Sequence, residues 1–119
     1  MDLYREQMLD HYKNPSNYKI IPNPTHQAHG INPLCGDEID IFLIVKNHKI
    51  IDVGFQSQSC AITMATASLV TEQLINKNVN EIKKFSPEKL DELLGTSLNT
   101  SRVNYSLVLI NTLKHALTT

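Results

Sequence analysis

Tryptophan is absent from this chain, aromatic residues make up only 6% of it, and there are just two cysteines. So few rings leave little surface on which nucleic-acid bases could stack. A formal net charge of -1 gives no electrostatic reason to bind a phosphate backbone or an anionic membrane. No nucleic acid and no membrane is therefore expected as a partner. No apolar run approaches the ~20 residues of a membrane-spanning helix. The start, Met1-Asp2-Leu3-Tyr4-Arg5-Glu6, is charged from the outset and does not resemble a signal peptide. Two cysteines are too few for a disulfide framework, and a cytoplasmic protein with free thiols is the expectation. A Cys35–Cys60 disulfide ranks behind metal binding or free thiols. What remains is ordinary globular composition, 41% apolar and 19% charged. At 119 residues the chain is long enough for one core and too short for two, so residues 1–119 are expected to form a single domain.

Residues 2–13 read as a short helix, with Leu3, Met8, Leu9 and Tyr12 tending to one side. It stops before Asn14-Pro15, because proline removes a donor and disfavours helix in the residue before it. Asn14 to Pro24 holds three prolines and is expected to be looped or extended. Ile39 to Lys46 is β-branched and bounded by turn residues, as a strand should be. Asn47-His48 is a two-residue connection to a returning strand over Lys49 to Phe55, which implies an antiparallel hairpin. Ala61 to Ile75 carries small and apolar residues at helical spacing, and Asn76-Lys77-Asn78 ends it. Val79 to Lys84 suggests one helical turn. Ser86 as cap, Pro87 in the first turn and Gly95 as the stop outline a further helix. Val103, Leu107, Ile110, Leu113 and Leu117 mark a C-terminal amphipathic helix.

Chemistry concentrates in two places. In His29-Gly30-Ile31-Asn32-Pro33-Leu34-Cys35-Gly36-Asp37, three turn-forming residues read as a loop that holds Cys35 and Asp37 at the tip of the first strand. Cys60 lies just past the second strand, and the hairpin brings residue 37 near residue 57, within reach of it. Cys60 also directly precedes a helix, whose unsatisfied N–H groups favour a thiolate. Two thiolates and a carboxylate are three ligands of a tetrahedral metal site. Each also has a plainer reading: Asp37 as a turn residue, Cys60 as a small buried hydrophobe.

Three segments resemble a known family. Leu9-Asp10-His11-Tyr12-Lys13-Asn14-Pro15, His29 to Asp37, and Cys60-Ala61-Ile62-Thr63-Met64-Ala65-Thr66-Ala67-Ser68 are similar to the IscU/SufU/NifU-N-terminal scaffolds of iron–sulfur cluster assembly. They fall in the same order over nearly the whole chain. The wording Asn32-Pro33-Leu34-Cys35-Gly36-Asp37 looks most like the SufU branch, whereas the short interval from Cys60 to the last helix looks more like IscU. The resemblance implies an α+β fold, a small antiparallel β-sheet packed against several α-helices, with a metal site at one exposed end. It implies three cysteines and an aspartate as ligands, of which Cys35, Asp37 and Cys60 match three. It implies a cysteine desulfurase as partner, apo iron–sulfur proteins as recipients, zinc or iron or a transient [2Fe–2S] cluster as the bound group, and Cys35 as the acceptor of sulfur.

The chain departs from the pattern at the third cysteine. Asn104 stands where IscU members have a histidine, and Tyr105 stands where the cysteine would be. The chaperone-recognition stretch of IscU members is matched only by Leu98-Asn99-Thr100-Ser101-Arg102. Tyr105, His26, His29, water or a partner's cysteine are the options for a fourth ligand, and a chain that holds no metal is the further alternative. Two functions follow. One is a working scaffold or sulfur acceptor. The other is a degenerate paralogue that binds the desulfurase without building clusters. No nucleophile elbow, phosphate loop or catalytic carboxylate pair supports an ordinary enzyme.

Overall fold

The computed structural model describes residues 9–10, 13–32, 37–58, 61–84 and 100–118. Three strands, β1 (His26–Asn32), β2 (Asp37–Lys46) and β3 (Lys49–Gln58), form an antiparallel sheet in the order β1-β2-β3. Helices α1 (Ala61–Leu74), α2 (Val79–Lys83) and α3 (Thr100–Thr118) follow. This is the α+β architecture expected from the sequence. Of the expected helix over residues 2–13, Leu9, Asp10 and Lys13 are described and are helical. The expected helix between Ser86 and Gly95 lies outside the described residues.

Strand β2 shows why one face of the sheet is the core face. Ile39, Ile41 and Leu43 alternate along it and are buried, while Glu38, Asp40 and Phe42 point the other way. Across the ladder Ile41 stands opposite Phe55 and Leu43 opposite Val53, so the buried rows coincide. At the hairpin turn Asn47 and His48 both take positive φ, 53° and 65°, as a type I′ connection requires. The register then shifts between Ile44 and Val45, leaving Ile51 as the extra residue of a bulge and exposed.

Strand β1 corrects the sequence reading. Gly30, Pro33 and Gly36 suggested a loop from His29 onward, yet His26–Asn32 is a strand paired to β2 along its whole length, from His26 opposite Leu43 to Asn32 opposite Asp37. The hydrophobic alternation that betrays a strand is missing for a steric reason. The positions facing the core are Ala28 and Gly30, and α3 lies directly over them. A Cβ on Gly30 would overlap the Thr112 hydroxyl.

Helix α1 packs on β3, and α3 packs chiefly on β1 and also on β2. Ala65, Thr66, Ala67, Ser68, Val70, Thr71 and Leu74 are all buried, so α1 is covered on more than one side. The second cover is the segment after Pro15. Ser16 N–H donates to Ser68 Oγ at 2.6 Å, Ser16 Oγ donates to Glu72 Oε1 at 3.0 Å, and Asn17 Nδ2 donates to Thr71 Oγ1 at 3.1 Å. The same segment lines the free edge of β3 through a bridge between Tyr18 and Phe55. Helix α1 ends at Leu74, and Asn76, two residues on, turns the chain away with a φ of 71° in the left-handed region. Asn78 caps α2 by accepting the Asn80 N–H, and Val79 and Ile82 bury into the core beside Leu109, Ile110, Leu113, Ala116 and Leu117 of α3.

Candidate functional site

Strand register defines one end of the sheet. Asn32, the last residue of β1, stands opposite Asp37, the first of β2, and Glu38 stands opposite Gln58, the last of β3. Asp37 therefore opens a strand at this end. Cys35 and Cys60 lie outside the described residues, and the frame on either side of them is what the structure supplies. Helix α1 begins at Ala61, immediately after Cys60 in the sequence. Tyr105 belongs to the first half of α3. It is seven residues before Thr112, about 10 Å along the helix axis from the contact with Gly30.

The two histidines weighed as a fourth ligand do not stand at this end. His26 pairs with Leu43, six residues along β1 from Asn32, about 20 Å away. Its Nδ1 is 2.9 Å from Thr25 Oγ1. His29 pairs with Asp40, about 10 Å from the Asn32–Asp37 pair. Its Nδ1 meets Asp40 Oδ1 at 2.7 Å, with both side chains 46% exposed. An ionised carboxylate only accepts, so Nδ1 carries the proton and donates to it. Asp40 is on the side of β2 opposite Ile39 and Ile41, and the pair sits on the open face of the sheet.

Residues that no sequence pattern singles out gather nearby, toward the edge of the sheet where Tyr18 lies along β3. Tyr18, Glu38, Asp40, Gln56 and Ser57 line a polar cleft of about 210 Å³. Tyr18 packs edge-on against Phe55 with ring centroids 5.3 Å apart at 86°, and Ser57 Oγ donates to the Glu38 carbonyl at 2.8 Å. Tyr18 reaches the cleft through its bridge to β3, a contact across 37 residues of chain that no local pattern announces. Among the described residues no three His, Cys, Asp or Glu side chains converge to hold a metal ion. No described helix is long and apolar enough to cross a membrane.

A small antiparallel sheet, helices on one face and an end framed by Asp37, Gln58 and the start of α1 define a class. The chain belongs to the NifU-like N terminal domain family, whose model matches residues 3–119. Its relatives include the iron–sulfur cluster assembly scaffold protein IscU 1 of Archaeoglobus fulgidus, 34% identical over 93 residues, covering 78% of this chain and 61% of that one. The zinc-dependent sulfurtransferase SufU of Bacillus subtilis is 31% identical over 99 residues, covering 83% and 67%. The scaffold protein IscU of Escherichia coli is 29% identical over 118 residues, covering 96% and 91%. The chain thus spans about three-fifths of the length of the Archaeoglobus relatives. Among solved structures, a protein of Fervidobacterium islandicum described as a candidate iron–sulfur cluster assembly scaffold for the SUF system superposes with a TM-score of 0.78 at 26% identity, over 94% of each chain.

Proposed function

We propose that this protein is a scaffold or sulfur acceptor of iron–sulfur cluster assembly, working with a cysteine desulfurase and passing its cargo to apo iron–sulfur proteins. The observation that carries the reading is the pairing of Glu38 with Gln58. Cys35 is two residues before Asp37 and Cys60 two residues after Gln58, so chain connectivity alone keeps each within about 7 Å, Cα to Cα, of that end of the sheet. Two thiols and a carboxylate tethered to one sheet end suit a single tetrahedral zinc ion with one position open to exchange. Cys35, Asp37 and Cys60 would hold it, and the metal would lower the pKa of its thiol ligands and keep them ionised.

In the sulfur step the Cys35 thiolate attacks the outer sulfur of the desulfurase's persulfide. The desulfurase cysteine leaves as a thiolate and Cys35 becomes the persulfide, with no net oxidation. This is a relay between two proteins, in keeping with the sulfurtransferase name of the Bacillus relative. A [2Fe–2S] cluster is cargo of a different demand. It takes four ligands, usually thiolates, and the chain contains two cysteines.

Tyr105 favours a second reading, in which the chain binds the desulfurase without building clusters. Metal content after purification under reducing conditions separates the two. About one zinc or iron per chain, lost in Cys35→Ala, is the expected result. No metal in either protein overturns the first reading. Cluster retention gained in Tyr105→Cys would show that a missing ligand is all that divides this chain from a cluster-holding scaffold.

A further inference from the structure

In the sequence, Cys60 falls at the corner where β3 turns into α1, between Gln58 and Ala61. Strand β3 and α1 are joined by two residues and pack on each other, and a polar bridge further back ties the two together as well. Asn17 spans them. Its carbonyl accepts the Phe55 N–H at 2.9 Å, three residues before the end of β3, and the Phe55 carbonyl accepts the Lys19 N–H at 3.1 Å. Its Nδ2 donates to Thr71 Oγ1 at 3.1 Å, in α1. Thr71 is buried and its hydroxyl proton is already directed to the Ser68 carbonyl at 2.9 Å, so the lone pair facing Asn17 is oriented to receive that amide. Asn17 itself has a φ of 63°, a left-handed conformation that asparagine tolerates better than most residues. That conformation lets one residue present its carbonyl to the strand and its side chain to the helix.

We infer that Asn17 is a positioning residue for Cys60, a crossbar that fixes the β3–α1 corner and through it the geometry of the metal and sulfur-acceptor site. The inference rests on the proposed site, and its test is built to separate the two. Asn17→Gly keeps the left-handed backbone without steric penalty and deletes only the amide. Ile82→Val, a buried change in α2, which lies outside both β3 and α1 and packs against α3, is the control for general loss of stability.

Zinc affinity, measured by competition with a chromogenic chelator, is expected to fall about tenfold in Asn17→Gly, the usual effect of losing a supporting group behind a metal ligand, and to hold in Ile82→Val. In a Cys35→Ser background Cys60 is the sole thiol, and its alkylation by a maleimide is expected to quicken severalfold with Asn17→Gly and not with Ile82→Val. Thr71→Val, which removes the acceptor, should reproduce both changes, and Thr71→Ser, which keeps it, should behave as the parent. Should Asn17→Gly fail to fold, the Thr71 pair decides. If the parent takes up no zinc, the metal site falls and the alkylation rates alone decide the crossbar. Equal effects of Asn17→Gly and Ile82→Val, or of Thr71→Val and Thr71→Ser, overturn it.

Discussion

At Gly30 the missing side chain is what lets α3 lie against β1. A methyl group there would meet Thr112 Oγ1 first and Thr112 Cβ at 3.1 Å, and a buried helix cannot give way without moving its neighbours. Gly30→Ala is expected to lower stability by about 1–3 kcal/mol, the usual range for overpacking a core. Thr112→Ala in the same chain should recover part of that loss, since it deletes the atom in closest conflict. Alone it removes a buried methyl group and a hydroxyl that donates to the Val108 carbonyl within its own helix at 2.7 Å. Denaturant unfolding of the two single variants and the double variant gives the coupling directly. The same residue explains a misreading. Beside Pro33 and Gly36 it looked like turn chemistry, whereas its role is to leave room for the Thr112 side chain of α3. The His29–Asp40 pair lies near it yet is half-exposed, so it contributes about 0–1 kcal/mol.

Elements whose residues carry their own signal were readable without a structure. The β-branched runs of β2 and β3, the Asn47-His48 turn between them, the small-residue repeat of α1 and the brief turn at α2 all stand within a few residues of where pattern places them. Helix α3 begins at Thr100, three residues before the first apolar position that marked it. Strand β1 was hidden because its identity comes from the partner it pairs with and the helix that covers it, not from its composition. The turn also yields a prediction. His48 holds a φ of 65°, where an L-residue with a Cβ is strained and glycine is not, and its carbonyl contact to the Val79 N–H at 2.8 Å involves backbone alone. His48→Gly should therefore stabilise the protein by about 0.5–1 kcal/mol, seen as a rise of a few degrees in the thermal midpoint.

For the whole molecule, a metal held at one end of the sheet would bind the folded chain and not the unfolded one. Zinc at a hundred times its dissociation constant should then add about 2.7 kcal/mol to stability. Thermal unfolding with and without zinc checks this, and the increment should vanish in Cys60→Ser. The proposed ligands, Cys35, Asp37 and Cys60, were visible in the sequence. The support behind them was not, because Asn17 acts through partners 38 and 54 residues away. Chain order adds a consequence for biosynthesis. The sheet is nearly complete when β3 has been made, but the apolar row of β1 and β2 stays uncovered until Leu109, Ile110 and Leu113 of α3 arrive. At ~5–20 residues per second, a ribosome leaves several seconds between the end of β1 and the end of α3. A nascent chain spends that interval with a sticky half-built core, so conditions that slow translation through α3 should lower its soluble yield more than its equilibrium stability would suggest.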